Sequence, residues 1–263
     1  MGTNTMPTIS LDNPVQVPPV QQPLTTPGTY AIRLAENAAD LMRALRLRYQ
    51  VFNVELNEGL DSSLGSGYDI DRFDPAVDHL VVEHLETREI VGTYRLHTGT
   101  SAAERIGYYS AQEFDFAPYE RIRGELVELG RACVHKDHRS GNVLGMLWKA
   151  IIEYATERGC RYLVGCSSLT TQDPAEGLAA YVALRKYEVE PELRTEPLPA
   201  FALPLDREPA ADVQIPRLLR AYLAIGAQIC GPPAIDREFK TIDFLTLIDL
   251  AKMRRCGRTR PAS

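Results

Sequence analysis

The chain has no clustered cysteines. Cys133, Cys160, Cys166, Cys230 and Cys256 are scattered, with no CxxC and no Cys/His spacing. That pattern implies neither a zinc site nor a disulfide framework, and it points to a reducing compartment. Positive charge is also lacking. The net charge of −6 excludes general nucleic-acid binding, which needs a basic footprint. Residues 1–29 contain no Lys or Arg and no apolar core, unlike a secretory signal. The longest uncharged run toward the C-terminus, residues 221–235, falls short of the roughly 20 residues a spanning helix needs. It is also broken by Gly231-Pro232-Pro233, so no transmembrane segment is expected. No internal repeat is present.

What remains is an ordinary soluble composition, 44% apolar and 24% charged over 263 residues. Residues 1–29 hold six of the 18 prolines and read as a disordered leader. Residues 30–251 read as a single domain and residues 252–263 as a basic tail. Strands are expected over residues 30–35, 79–84, 90–97, 126–134, 160–167 and 242–250. The second and third form a hairpin around Thr87-Arg88-Glu89. Helices are expected after an Asn37 or Asp40 cap, over 141–158, over 175–187 behind Asp173-Pro174, and over 215–229. Residues 53–78 read as a long polar loop and 98–123 as an aromatic-rich insert. This order implies an α/β (α+β) fold: a mixed, mostly antiparallel central sheet with helices on both faces.

Residues 126–152 carry the clearest chemistry. They read as a strand with two charges, Glu128 and Arg131, then a basic turn, then a helix. Backbone N–H groups at a helix start, with Arg139 and Gly141, suit a phosphate-bearing ligand.

Five local matches, in order, resemble one family. They are Arg48-x-x-x-Phe52; Asp71-Arg-Phe-Asp74 followed by Asp78-His79-Leu80; Gly92-Thr-Tyr-Arg95-Leu; Glu128-Leu-Gly-Arg131; and Gly231-Pro-Pro-Ala-Ile-Asp236 followed by Phe239 and Asp243-Phe244. Together they resemble the GNAT acyltransferase superfamily. The similar branch holds ornithine-lipid N-acyltransferases, N-acyl amino acid synthases and acyl-homoserine lactone synthases. The usual GNAT phosphate loop, Arg/Gln-x-x-Gly-x-Gly/Ala, is represented by His138-Arg-Ser-Gly141-Asn-Val143, where only the middle glycine agrees.

The resemblance implies transfer of a fatty acyl group, 3-hydroxyacyl included, to the amine of an amino acid such as ornithine, lysine or glycine. The donor is acyl carrier protein or coenzyme A as co-substrate, with no tightly bound cofactor and no metal. An ammonium cannot attack a thioester, so a base is required, and Glu128 in an apolar strand suits it, directly or through a water. The other reading of Glu128 is an ion pair with Arg131 or Arg95 that organises the site, and Arg131 stands with Glu128 and His79 among the catalytic candidates. His79 relays a proton or is a hydrogen-bonding core residue. Backbone N–H groups at Cys133 and Val134 would meet the oxyanion if the strand splays. His138, Arg139, Gly141 and Asn142 would hold the phosphate, and Ser167 the pantetheine amides. Arg48, Phe52, Asp71, Asp74 and Arg95 would bind the acceptor, or brace the lobe as a buried ionic network. The insert and the 218–229 segment would wall an acyl groove. The alternative activities are an autoinducer synthase acting on S-adenosylmethionine and a catalytically silent carrier-binding module. A cytoplasmic location is expected, with the basic tail touching anionic lipid at the inner membrane face.

Overall fold

A computed structural model describes residues 28–139 and 142–253. Most of the leader, Gly141 and the tail beyond Met253 lie outside the described residues. In chain order the elements are β1 (Tyr30–Leu34), α1 (Ala38–Tyr49), α2 (Ser63–Ser66), β2 (Asp78–His84), β3 (Ile90–Thr98), α3 (Gly99–Glu104), β4 (Leu126–Val134), α4 (Asn142–Glu157), β5 (Tyr162–Leu169), α5 (Pro174–Leu184), α6 (Arg217–Ile225), β6 (Gln228–Ile229), β7 (Ala234–Asp236) and β8 (Thr241–Asp249). Asn37 caps α1 by accepting from the Asp40 N–H at 3.0 Å. The Asp173 side chain caps α5, with Pro174 in its first turn.

One sheet runs β1-β2-β3-β4-β5-β8-β6, with β7 also on β8. Every pairing is antiparallel except β4 with β5. Side-chain alternation assigns the two faces. Leu80, Val82, Tyr94 and Leu96 pack with Val143, Leu147 and Ile151 of α4. Val81, Ile90 and Cys133 point the other way, onto Ala44 and Leu47 of α1. Further along that second face, Leu126, Val164, Leu245 and Leu247 pack under Tyr108, Phe114, Phe116 and Tyr119 of the insert. The mixed, mostly antiparallel sheet expected from the sequence is therefore present, with helices on both faces.

The helix expected over 215–229 is shorter. Gly226 adopts φ 107° and closes α6, the left-handed cap that glycine takes most readily, and the chain then enters β6. β6 and β7 flank Gly231-Pro232-Pro233 and are too short for a period-two pattern to show. The 53–78 stretch begins inside a π-helical turn, Gln50–Glu55, that continues α1, and is otherwise irregular but for α2 and a 3-10 turn at Asp74–Ala76.

Candidate active site

The sheet opens at its one parallel pairing. β4 and β5 are in register only at Leu126↔Tyr162, Val127↔Leu163 and Glu128↔Val164. Beyond that β4 stays with β3 while β5 stays with β8 as far as Leu169. Gly165 sits at the point of divergence, where an added Cβ would come within 2.2 Å of the Leu129 carbonyl oxygen. β4 also bulges against β3, whose register shifts between Thr93 and Arg95. Arg131 occupies that bulge with φ 50°, a left-handed conformation costing roughly 1–3 kcal/mol for a side-chain-bearing residue.

A cavity of about 300 Å³ fills the opening. Leu129, Gly130, Arg131 and Ala132 line it from β4, and Gly165, Cys166, Ser167 and Ser168 from β5. Tyr94, Trp148, Leu218, Leu219, Tyr222 and Ile248 make an apolar wall. Trp148 packs edge-on against Tyr94 and Tyr222, ring centroids 6.5 and 5.3 Å away. Arg95, Tyr109, Glu128, Asp236, Phe239 and Asp243 make a polar wall.

Glu128 lies on the insert-facing side of β4. Its carboxylate accepts from the backbone N–H of Tyr109 (2.8 Å) and Ser110 (2.7 Å). Burial pushes its pKa up, opposed by those two donors. No ion pair joins it to Arg131 or Arg95 among the described residues, so the ion-pair reading is replaced by an anchor to the insert. That anchor sets Tyr109 under both arginines, whose guanidinium carbons lie 4.9 Å (Arg95) and 5.0 Å (Arg131) from its ring centroid.

The acceptor candidates divide. Arg95 and Phe52 reach the cavity, as does Arg131, a catalytic rather than an acceptor candidate. Phe52 packs edge-on against Phe239, over which Arg131 also lies at 4.3 Å. Arg48, Asp71 and Asp74 do not line it. Arg48 is fully buried and donates to Asp69 (2.6 Å) and Asp74 (2.6 Å). Asp71 accepts from Arg95 (2.6 Å) and Arg131 (3.0 Å). Burial alone would raise the Asp71 pKa, but Arg95 and Arg131 hold it below the usual carboxylate range. This is the buried network alternative, and it fixes the two arginines that face the cavity. His79 belongs to the same scaffold: Nε2 lies 2.9 Å from the Asp74 carbonyl oxygen, and burial pushes its pKa down. It does not line the cavity.

On the donor side, Ser167 lines the cavity and contacts the Thr246 hydroxyl at 3.2 Å. Cys133 and Val134 do not. Cys133 points into the core under α1, and Val134 pairs with Gly92 because β4 is still bonded to β3 there. His138 turns to the far side, against the Tyr30 hydroxyl at 2.9 Å. Arg139 forms a two-point pair with Glu55 and donates to the Val134 carbonyl at 2.9 Å. Asn142 opens α4, so the turn does lead into a helix start. In the aromatic insert, Tyr108, Phe114, Phe116 and Tyr119 are core, and only Tyr109 and Ser110 reach the cavity. Among the described residues no helix is long and apolar enough to cross a membrane.

A second set of acids escaped the sequence reading. Asp243, the third residue of β8, and Asp236 line the cavity, and Glu113 of the insert lies behind them, against Asp243. Oxygens of Glu113 and Asp243 and the Cys166 sulfur lie within 4.8 Å of one another. Burial, then the neighbouring Asp243 and Asp236 charges, pushes Glu113 well up. Burial, reinforced by Asp236, pushes Asp243 up to about 6. The available signal was a charge on a strand whose nine residues are all buried.

Comparison with known proteins agrees with this architecture. A family model described as an acetyltransferase (GNAT) domain matches residues 47–149. The chain is 34% identical over 240 residues to an L-ornithine N(alpha)-acyltransferase of Rhodobacter capsulatus, covering 86% of this chain and 92% of that protein. It is 30% identical over 242 residues to an L-ornithine N(alpha)-acyltransferase of Brucella abortus, covering 86% of each. Among solved structures, FeeM, an N-acyl amino acid synthase from uncultured soil microbes, shares the fold. Its TM-score is 0.51 at 11% identity, covering 84% of this chain and 90% of that one.

Proposed function

The chain belongs to the L-ornithine N(alpha)-acyltransferase family and is an amide-forming acyltransferase; we propose that it moves a fatty acyl group from a phosphopantetheine thioester to the α-amine of L-ornithine. The observation that carries this reading is the cavity at the β4–β5 divergence, apolar on one wall and bearing two arginines on the other. A thioester arm enters between the strands, and its acyl chain lies along Tyr94, Trp148, Leu219 and Tyr222. The acceptor carboxylate meets Arg95 and Arg131, since a guanidinium fork matches a carboxylate.

The neutral amine attacks the thioester carbonyl. The C–N bond forms, the negative oxygen takes donors from the parted stretch of β4, and the C–S bond then breaks to release the thiol. The amine proton goes to Glu128, which keeps lone-pair capacity beside its donors, and passes on to the departing sulfur, so the thiol leaves neutral and Glu128 is regenerated as the carboxylate. Burial raises its pKa, which strengthens it as a proton acceptor.

The test is turnover of the purified protein with a long-chain acyl carrier protein and, separately, with the matching acyl coenzyme A, each with L-ornithine. A linear acyl-ornithine detected by mass spectrometry is the expected product, and the faster donor identifies the carrier. No amide with either donor, or a lactone from S-adenosylmethionine, overturns the reading. Glu128→Gln is expected to lower kcat by about 100-fold or more and to remove the acid limb of the rate profile. Full activity in that variant would remove the base assignment.

A further inference from the structure

The cavity carries unpartnered buried atoms of both signs. Arg95 is 4% exposed, and its Nη2 has no hydrogen-bond partner among the described residues. It lies beside Gly130, where an added Cβ would sit 3.8 Å away, so the bare glycine leaves the guanidinium uncovered on the β4 side. On the other wall Asp243 and Glu113 are 4% and 2% exposed. Oδ1 of Asp243 and Oε2 of Glu113 meet no side-chain or backbone donor among the described residues other than a proton the two carboxyls share. Tyr109 stands between the two walls: its ring carries Arg95 and Arg131, and its hydroxyl feels the charges of Glu113 and Asp236. Buried polar groups are ordinarily satisfied, so an unpaired guanidinium nitrogen on one wall and clustered carboxyls on the other define the chemistry of a ligand that fits between them.

That ligand has a carboxylate for Arg95 and a permanent cation for the acids. The reacting amine is a poor match for the acids, because adjacent carboxylates favour its protonated form, which cannot attack. A second ammonium on the acceptor side chain has no such conflict.

Resting on the acyltransferase reading above, we propose that Glu113 and Asp243, with Asp236, form the subsite for the side-chain ammonium of a diamino acid acceptor, and so select it over neutral amino acids. The other acids that line the cavity are already engaged: Glu58 accepts from the Thr170 hydroxyl, and Glu128 from the backbone N–H groups of Tyr109 and Ser110.

The experiment compares L-ornithine with L-norvaline, which has the same carbon skeleton without the δ-amine, using one acyl thioester throughout. The parent is expected to prefer ornithine in kcat/KM by about 100-fold or more, the penalty for leaving a polar subsite unfilled. Asp243→Asn and Glu113→Gln are expected to lower ornithine kcat/KM by a similar factor, mainly through KM, and norvaline by less than about tenfold, so that the preference collapses. Equal losses on both acceptors, or an unchanged preference, overturn the proposal. So does calorimetry on the parent showing equal affinity for the two, a measurement that does not depend on any variant folding. Stoichiometric binding of zinc chloride by the parent, lost in Asp243→Asn and required for ornithine turnover, would assign the cluster to a metal and overturn it as well. A parent that acylates neither acceptor fails the acyltransferase reading instead.

Discussion

Two buried ionic assemblies lie on either side of the cavity, and they are built on opposite terms. Arg48, Arg95 and Arg131 interlock with Asp69, Asp71 and Asp74, three charges against three, around contacts of 2.6–3.5 Å. Glu113, Asp236 and Asp243 bring three carboxyl groups together with no ion pair to any of them among the described residues, and burial with mutual repulsion pushes Glu113 and Asp243 toward their neutral forms. The first assembly neutralises itself and holds side chains in place. The second leaves a charge to be neutralised by something else. The contrast teaches that burial of charge does not by itself mark a site; the mark is burial without a partner.

Three changes press on that contrast, beginning with the largest. Arg48→Met strips Asp69 and Asp74 of their shared donor and leaves uncompensated charge in the interior. A loss of about 3–5 kcal/mol is expected in urea unfolding. The acids predict the reverse sign. The folded state holds Asp243 protonated up to about pH 6, whereas in the unfolded chain it ionises near 3.8. Stability from this group is therefore intact below the ordinary carboxylate range and is lost as pH rises to and beyond 6. Asp243→Asn is accordingly expected to melt higher than the parent at pH 8, by on the order of 2 kcal/mol, and to match it near pH 4. The smallest effect belongs to the exposed Arg139–Glu55 pair. Arg139→Ala is expected to cost no more than about 1 kcal/mol in thermal melts. Because its guanidinium is already paired with Glu55, the KM for the thioester donor should stay at the parent value; a large rise would restore the phosphate role expected from the sequence.

Legibility followed local pattern. The hairpin, the Asn37 cap, Asp173-Pro174 and the charged strand at Glu128 all declare themselves within a few residues, and each appears where expected. The strand divergence could be anticipated, but which residues line it could not. Cys133 and Val134 sit one bulge too far along β4, and a register shift of that kind leaves no trace in composition. Asp243 obeyed the same logic as Glu128, a charge in an apolar strand, yet its position near the strand start resembles an ordinary polar boundary. Its neighbour Glu113 comes from an aperiodic insert 130 residues earlier, and no spacing rule connects the two. The division of Arg48 from Arg95 and Arg131 was equally hidden, since only the packing decides which arginine faces the opening.

The early separation of β4 from β5 has a consequence for how the protein avoids unwanted company. From Leu129 onward β4 has a sheet neighbour on one flank only. Such a flank on the rim of a molecule invites pairing with any extended chain, and proteins usually guard against it. Here the open flank faces inward, in a crevice that Trp148 and Tyr222 border on one side and Tyr109 on the other. The crevice keeps the unpaired N–H and C=O groups of β4 off the molecular rim while leaving them open to an amide-bearing ligand inside it. Aggregation risk is thereby converted into a docking rail.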